Sequence, residues 1–284
     1  MCNRIHIPFI LFLLSLICGL SVARADDPVK IALMPSPRVD ASTGKIAAGG
    51  AQKKWHYLLS RDKSLNVSVL REEDIASADL LSGYKAVIIS EDRSVLSREG
   101  MRAVEEYVCS GGILIRCVNG AYMPDIKGNG LLDRGLITRE YLQEMRDYWK
   151  RVAGIVIASQ DINIIKGIRF SSFVPLLSKD LPGSLSDVDL PEDDKASRFT
   201  VYYDLHGAEA IADASVMQIK GKSFMDKAEL LEGTCPVISL NRLGKGFCLS
   251  IGIKLTVISG MVSTDIYRTF FWNLAEWIKQ TSGK

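Results

Sequence analysis

The sequence predicts an α/β fold in which a mostly parallel central sheet lies between layers of helices. The first observation is that short apolar runs alternate with stretches of helical spacing between residues 29 and 117, with short links between them. Strands connected in this way pair in parallel through right-handed crossovers. The second is that residues 236–240 and 246–253 flank a turn and precede an amphipathic stretch, which predicts a β-hairpin followed by a last helix.

Each apolar run ends at residues that break strands or begin helices. The predicted strands cover residues 29–34, 65–70, 84–90 and 113–117. Helices are predicted over residues 52–60, 74–81 and 138–152. Ser97 is the expected N-cap of a further helix, because Glu99 then lies near the positive end of the helix dipole. Gly111 and Gly112 are expected to end that helix.

The last third of the chain is regular, whereas the middle is not. Residues 208–212 predict a strand, and Ser263 is the expected cap of the final helix. One face of that helix carries Ile266, Phe270, Leu274, Trp277 and Ile278, so the helix should dock on the sheet. Residues 118–200 are rich in Gly, Pro and Asp over much of their length and predict an irregular insertion, either a lid or a projection. Residues 26–284 are therefore expected to form a single domain.

Residues 1–25 have the three parts of a secretory signal peptide. Arg4 gives a basic start, residues 7–22 are apolar, and Ala23-Arg24-Ala25 is a small-x-small cleavage site. The apolar run is short for a transmembrane helix, which needs about 20 residues. Cys18 raises the alternative of a lipoprotein signal, but Ile17 precedes it where a small residue is needed; a retained anchor is a further alternative. We expect cleavage, and a secreted or periplasmic protein.

The charge and cysteine content exclude several classes of function. Removal of the signal peptide takes away Arg4 and Arg24, which leaves 33 basic residues against 33 acidic ones. A nearly neutral chain has no basic field for nucleic acid or for a membrane surface. The cysteines left after cleavage lack the spacing of a zinc site, so no metal and no cofactor is predicted. Cys235 and Cys248 flank the predicted hairpin several residues out of register, too far apart for a disulfide.

The order of these elements resembles the class I glutamine amidotransferase-like superfamily. The resemblance rests on a strand ending in Ile88-Ile89-Ser90, a helix closing in Glu106-Tyr107-Val108 before Gly111-Gly112, and a strand that enters a turn. The C-terminal pattern, with Leu243-Gly244-Lys245-Gly246 before a strand and a last helix, is most similar to the branches without amidotransferase activity. These are the ThuA-like proteins and the trimerisation domains of certain β-galactosidases. The resemblance implies a flavodoxin-like three-layer sandwich, and it allows a homo-oligomer.

Cys117 is the candidate nucleophile that the resemblance implies. Active amidotransferases hold their cysteine in a strained Gly-x-Cys-x-Gly elbow, whereas here Arg116 and Val118 flank the cysteine and neither glycine is in place. A thiol nucleophile also needs a histidine base that is oriented by a carboxylate. Residues 254–263, where the family carries that pair, contain neither histidine nor carboxylate, and only His206 and Glu209 form a displaced pair. A buried strand-end thiol is therefore the favoured interpretation of Cys117.

A ligand pocket, if the chain has one, is expected at the carboxyl ends of the parallel strands. That rim gathers polar side chains of mixed charge, which suit a sugar or another small polar ligand. The candidate ligand-binding residues are Ser36, Arg38, Glu91, Asp92, Arg93, Asn119 and Tyr122. Loop tips are polar in most proteins, so an ordinary solvated surface is the alternative interpretation.

Three functions remain open at this point. The first is an exported non-catalytic domain that binds a small polar or carbohydrate ligand or mediates assembly. The second is an enzyme of carbohydrate metabolism that uses pocket carboxylates. The third is a cysteine-dependent hydrolase or amidotransferase that uses Cys117. The missing histidine and carboxylate favour the first.

Overall fold

The computed structural model describes residues 27–35, 37–39, 46–48, 50–90, 96–117, 138–157, 163–170, 188–189, 203–220, 229–252 and 264–281. The helices are α1 (Gly50–Leu59), α2 (Ala78–Ser82), α3 (Arg98–Cys109), α4 (Arg139–Val152) and α5 (Thr264–Gln280), with a 3-10 turn at Glu72–Ala76. The first seven strands are β1 (Val29–Leu33), β2 (Pro37–Val39), β3 (Ile46–Ala48), β4 (Leu65–Val69), β5 (Ala86–Ile89), β6 (Ile113–Cys117) and β7 (Ile155–Ile157). The others are β8 (Asn163–Phe170), β9 (Val188–Asp189), β10 (Tyr203–Leu205), β11 (Glu209–Lys220), β12 (Glu229–Leu243) and β13 (Gly246–Ile251).

Nine strands form one mixed sheet in the order β4-β1-β5-β6-β13-β12-β11-β8-β9. The five strands from β4 to β13 pair in parallel. The four pairs from β13 to β9 are antiparallel, and they include the β12–β13 hairpin. The predicted α/β fold with a C-terminal hairpin and helix is confirmed, with a parallel half that carries the crossover helices and an antiparallel half beside it.

Helices cover both faces of the parallel half. Successive side chains of each strand point to opposite faces, so each strand contacts both helical layers. Ile31 and Leu33 of β1 face α1 and α5, where they meet Trp55 and Phe271. Their neighbours Ala32 and Met34 face the other way, toward helices α2, α3 and α4. Strands that are buried on both faces explain why these runs are apolar at successive residues and do not alternate with polar ones. The sandwich therefore has three layers.

The helix boundaries agree with the signals in the sequence. Ser97 caps α3, since its Oγ accepts a hydrogen bond from the backbone N–H of Gly100 at 3.0 Å. Gly111 follows the helix with a φ of 117°, a conformation that favours glycine. Thr138 caps α4, where its Oγ1 accepts from the N–H of Tyr141 at 3.2 Å. The predicted cap at Ser263 lies outside the described residues.

The antiparallel half is larger than the sequence indicates. The strand predicted over residues 208–212 extends as β11 to Lys220, and β12 spans 15 residues. The region 118–200, predicted as an irregular insertion, holds α4 and also β8, which pairs with β11. Cross-strand pairing therefore brings part of that region into the main sheet.

The hairpin register keeps Cys235 and Cys248 apart, as predicted. Cys248 pairs with Asn241, and Cys235 pairs with Ala214 on the far side of β12. Six residues of β12 separate Asn241 from Cys235, which is about 20 Å along an extended strand. A disulfide between the two cysteines is therefore excluded by distance.

Two buried tyrosines on the α3/α4 face offer a matched test of hydrogen bonding. The Tyr107 hydroxyl accepts from the backbone N–H of Ile113 at 3.2 Å and lies 3.2 Å from the carbonyl oxygen of Tyr84. The Tyr148 hydroxyl is buried and has no hydrogen-bond partner within the described residues. Burial raises the pKa of both phenols.

We expect Tyr107→Phe to lower the free energy of unfolding by about 1–2 kcal/mol, because it leaves buried backbone groups without their partner. Tyr148→Phe should change it by about zero or raise it slightly, since no bond is lost. Urea denaturation monitored by circular dichroism measures both. Equal losses in the two variants would contradict the hydrogen-bond assignment.

Candidate functional site

The carboxyl ends of β1, β5 and β6 meet at one edge of the sheet. Leu33 pairs with Ile88, and Ile88 pairs with Ile115, so the three strands end side by side. The backbone N–H of Met34 also donates to the carbonyl oxygen of Ile88 at 2.9 Å. From β1 the chain goes first to β4 on one side and then to β5 on the other. This change of direction is the switch point at which open α/β sheets bind ligands.

Two buried polar side chains define the floor of this edge. Gln52, in the first turn of α1, donates from Nε2 to the carbonyl oxygen of Met34 at 3.0 Å and fixes the start of α1 against the end of β1. Ser90, the residue after β5, is fully buried. Polar groups held inside such an edge can orient a polar ligand.

Of the predicted ligand-binding residues, Arg38 is the one that lies within the described part of the chain. Arg38 lies in β2 and pairs with Ala47 of β3. The other candidates follow the carboxyl ends of the adjacent strands β1, β5 and β6 in sequence but lie outside the described residues; they are Ser36, Glu91, Asp92, Arg93, Asn119 and Tyr122.

Cys117 is the last residue of β6, and its side chain is 3% exposed. It belongs to the apolar cluster under α1 and α5, together with Ile115 and Ile251. A nucleophile elbow is a sharp, strained turn that leads from a strand into a helix. Among the described residues no residue other than glycine has a positive φ, and Cys117 continues the extended strand. Its backbone therefore lacks the strain of an elbow.

His206 and Glu209 lie three strands away from Cys117 in the sheet. Cys117 of β6 pairs with Ile251 of β13, and Ile251 pairs with Ile238 of β12. Ile238 pairs in turn with Ala212 of β11, the third strand from β6. Three strand spacings amount to about 14 Å. Glu209, the first residue of β11, pairs with Leu240, which is level with Leu249 and with Ile115 of β6, and His206 precedes it. The structure does not bring this pair within hydrogen-bond reach of Cys117.

The environment of the other thiols also disfavours thiolate chemistry. Burial raises the pKa of Cys248 to about 12, although Arg116 and Ser250 partly oppose the shift. The exposed Cys109 has a pKa raised by partial burial and by the nearby charge of Glu105. The Arg116 guanidinium, in the place where an elbow needs a small residue, lies 4.0 Å from the centre of the Trp149 ring. Burial therefore favours the protonated form of the Cys248 thiol.

Two grooves lie on the helical layers, away from the carboxyl edge. The α3–α4 groove, of 670 Å³, is crossed by the ion pairs Arg98–Glu144 and Arg151–Glu105, both at 2.7 Å. The α1–α5 groove, of 580 Å³, lies at the amino edge beside Trp272, whose side chain is exposed. Two ion pairs bridge the first groove, and the Lys279–Asp62 ion pair bridges part of the second.

Neither a metal cluster nor a membrane span stands out in the described part of the chain. No group of three or more His, Cys, Asp or Glu side chains there could hold a metal ion. None of its helices is both long enough and apolar enough to cross a membrane.

Solved structures place this architecture among known folds. A ThuA-like protein from Bacteroides uniformis matches with a TM-score of 0.52 over 89% of this chain and 92% of its own, at 13% identity. The chain has the fold of a ThuA-like protein. The resemblance that the sequence indicates is thereby confirmed for the fold.

The ThuA-like fold also occurs within larger enzymes. A β-galactosidase from Bacillus circulans sp. alkalophilus matches with a TM-score of 0.50 and 17% identity over 87% of this chain. The matched part is 31% of that enzyme, so this chain spans about a third of its length. No protein-family model matches the sequence, and no curated protein matches it.

Sequence reasoning missed the aromatic side of the α1–α5 groove, although a signal was present. The apolar stripe that the sequence predicts for the last helix includes Phe270 and Leu274, and Trp272 lies two residues from each. Two residues correspond to about 200° around a helix, so Trp272 had to face away from that stripe. An aromatic residue off the buried stripe is a candidate contact residue.

Proposed function

We propose that this chain is an exported, non-catalytic domain of ThuA-like fold that binds a small polar or carbohydrate ligand at the carboxyl edge of its parallel strands. The observation that carries the proposal is the separation of Cys117 from His206 and Glu209. The thiol lies at the end of β6, and the displaced pair belongs to the start of β11, three strands away. A general base must lie within about 3 Å of the group whose proton it takes, or reach that group through one bridging water.

The carboxyl edge suits binding for reasons that do not depend on catalysis. It is the switch point of the sheet, and Gln52 and Ser90 are buried polar groups beside it. A preformed edge of this kind binds a ligand with little loss of side-chain entropy. Carbohydrate is the proposed class because the rim residues that follow the strands are polar, of mixed charge, and include Tyr122.

Thiol labelling tests the non-catalytic part of the proposal. Native protein is treated with iodoacetamide at pH 8, and peptide mass spectrometry locates the modified cysteines. We expect Cys109 to be modified and Cys117 and Cys248 to stay unmodified, because the last two are buried. Unfolding in urea should make all four cysteines of the mature chain react, Cys235 included, which serves as the positive control. Rapid and selective modification of Cys117 in the native state would overturn the proposal.

The binding part is tested by calorimetry with a panel of mono- and oligosaccharides, followed by product analysis of every sugar that binds. Binding without turnover is the expected result. Gln52→Ala should weaken binding, because it releases the start of α1 from the end of β1. Formation of a hydrolysis product would overturn the non-catalytic proposal and favour an enzyme that uses rim carboxylates such as Glu91 and Asp92.

Export is tested separately by fractionation of cells that express the full chain. The proposal expects the protein in the periplasm or the medium, with a mature N-terminus at Asp26. A cytoplasmic protein that retains Met1 would contradict it.

A further inference from the structure

We infer that the α1–α5 groove is a second binding site, remote from the carboxyl edge, for an oligosaccharide that carries carboxylate groups. The groove lies where α1 ends and β4 begins, at the amino edge of the sheet. It is therefore separated from the proposed ligand site by the length of the strands. The inference goes beyond the proposed function and stands or falls independently of it.

Trp272 is exposed although the helix around it is buried. Its side chain is 62% exposed, whereas Phe271 and Ala275 on the same helix are buried and form the floor of the groove. Leu59 and Leu65 complete that apolar floor. An indole ring beside an open apolar cleft presents a flat hydrophobic face with a polar N–H at its edge. A pyranose ring has the matching shape, with C–H groups on one face and hydroxyls around its rim.

The polar groups at one end of the groove are already held in place. Lys279 Nζ lies 3.0 Å from Asp62 Oδ2 and 2.9 Å from Ser64 Oγ, and it also contacts Glu276. Burial alone would raise the pKa of Asp62, but its hydrogen bonds from Ser64 and Lys279 outweigh that effect and lower it. The Asp62 carboxylate therefore stays charged. With Glu276 and Lys279 it forms a cluster of two acids and one base, whose formal charge is −1.

Two further cations give the lining of the groove a formal net charge of +1, since it holds three bases and two acids. Arg61 and Lys63 line the groove, and no carboxylate in the described part of the chain forms an ion pair with either. The Arg61 guanidinium lies 5.3 Å from the centre of the Tyr57 ring, which holds it without cancelling its charge. A groove that is lined by an exposed indole and by an excess of one positive charge complements an anionic sugar.

A second copy of the chain is the competing occupant. An exposed Trp beside a groove also occurs at protein interfaces. A two-fold contact over this patch would, however, bring together two surfaces of the same net charge, and like charges across an interface cost affinity. The charge pattern therefore favours an acidic glycan over self-association.

The test uses the full mature chain and three acidic probes, namely tetragalacturonate and hyaluronan and alginate oligomers. The neutral control is the fully methyl-esterified form of tetragalacturonate, which keeps the rings and removes the charge. Calorimetry and tryptophan fluorescence measure binding. We expect at least one acidic probe to bind, to weaken as salt is raised, and to bind the wild type about tenfold more tightly than the neutral control does.

Variants assign the binding to the groove. Trp272→Ala should weaken binding of the acidic probe by about tenfold or more. The double variant Arg61→Gln with Lys63→Gln should lower the affinity for the acidic probe to the affinity for the neutral control. Leu80→Ala, which removes an exposed apolar side chain from the opposite layer, should leave it unchanged. Matching thermal melts confirm that the variants are folded.

Three outcomes would overturn the inference. One is the absence of binding to all acidic probes. Another is binding that Trp272→Ala leaves intact, which would locate the glycan elsewhere and leave the carboxyl-edge proposal standing. The last is a dimer in light scattering that Trp272→Ala dissociates, which would assign the groove to a second copy.

Discussion

Replacement of Trp55 by alanine is expected to lower the free energy of unfolding by about 4 kcal/mol. The Trp55 side chain is fully buried between α1 and the sheet. Its ring meets that of Phe271 edge to face, with centroids 4.6 Å apart, and so joins α1 to α5. The loss combines the lost burial of a large apolar surface with the cavity that remains. Chemical denaturation with a two-state fit measures it.

Trp272→Ala is the matched control for this prediction, because it makes the same substitution one residue away from Phe271. Trp272 is exposed, so its removal should change the free energy of unfolding by no more than about 0.5 kcal/mol. A loss below about 1.5 kcal/mol in the Trp55 variant, or equal losses in both, would contradict the three-layer packing described for α1 and α5.

Replacement of Gly246 by alanine is expected to cost about 3 kcal/mol or to prevent folding. Gly246 begins β13 at the point where the hairpin enters the sheet beside β6. A methyl group there would overlap the backbone carbonyl oxygens of Val108 and Gly112. Backbone atoms at the end of α3 cannot swing aside as a flexible side chain can, so α3 or the hairpin would have to move. Denaturation or the soluble yield reports the effect.

Gly83→Ala is the corresponding control. Gly83 ends α2 with a φ of −69°, which any residue adopts, and a methyl group would approach only the Leu80 carbonyl oxygen, at 3.3 Å. The change should lie within about 1 kcal/mol of zero. A Gly246→Ala protein as stable as this control would show that the close contact between α3 and the hairpin is wrong.

The parallel half of the fold could be predicted from the sequence because its signals are local. Strands such as β5 are apolar at every residue, Ser97 caps α3, and Gly111 ends it, so each boundary is marked within a few residues. The extent of β11 and β12 could not be predicted. Their long antiparallel pairing, and that of β8, depends on partners far along the chain.

The candidate site divides in the same way. The sequence by itself determined that polar residues follow the ends of apolar strands and that Cys117 lacks the small neighbours of an elbow. Only the tertiary structure decided that His206 and Glu209 lie three strands away from Cys117, because strand order and register are long-range properties. It also decided that Trp272 borders an open groove, since the exposure of a helical residue depends on which neighbouring elements cover it. The chemical character of a short segment follows from its own residues, whereas the distance between residues far apart in the chain depends on how the elements pack.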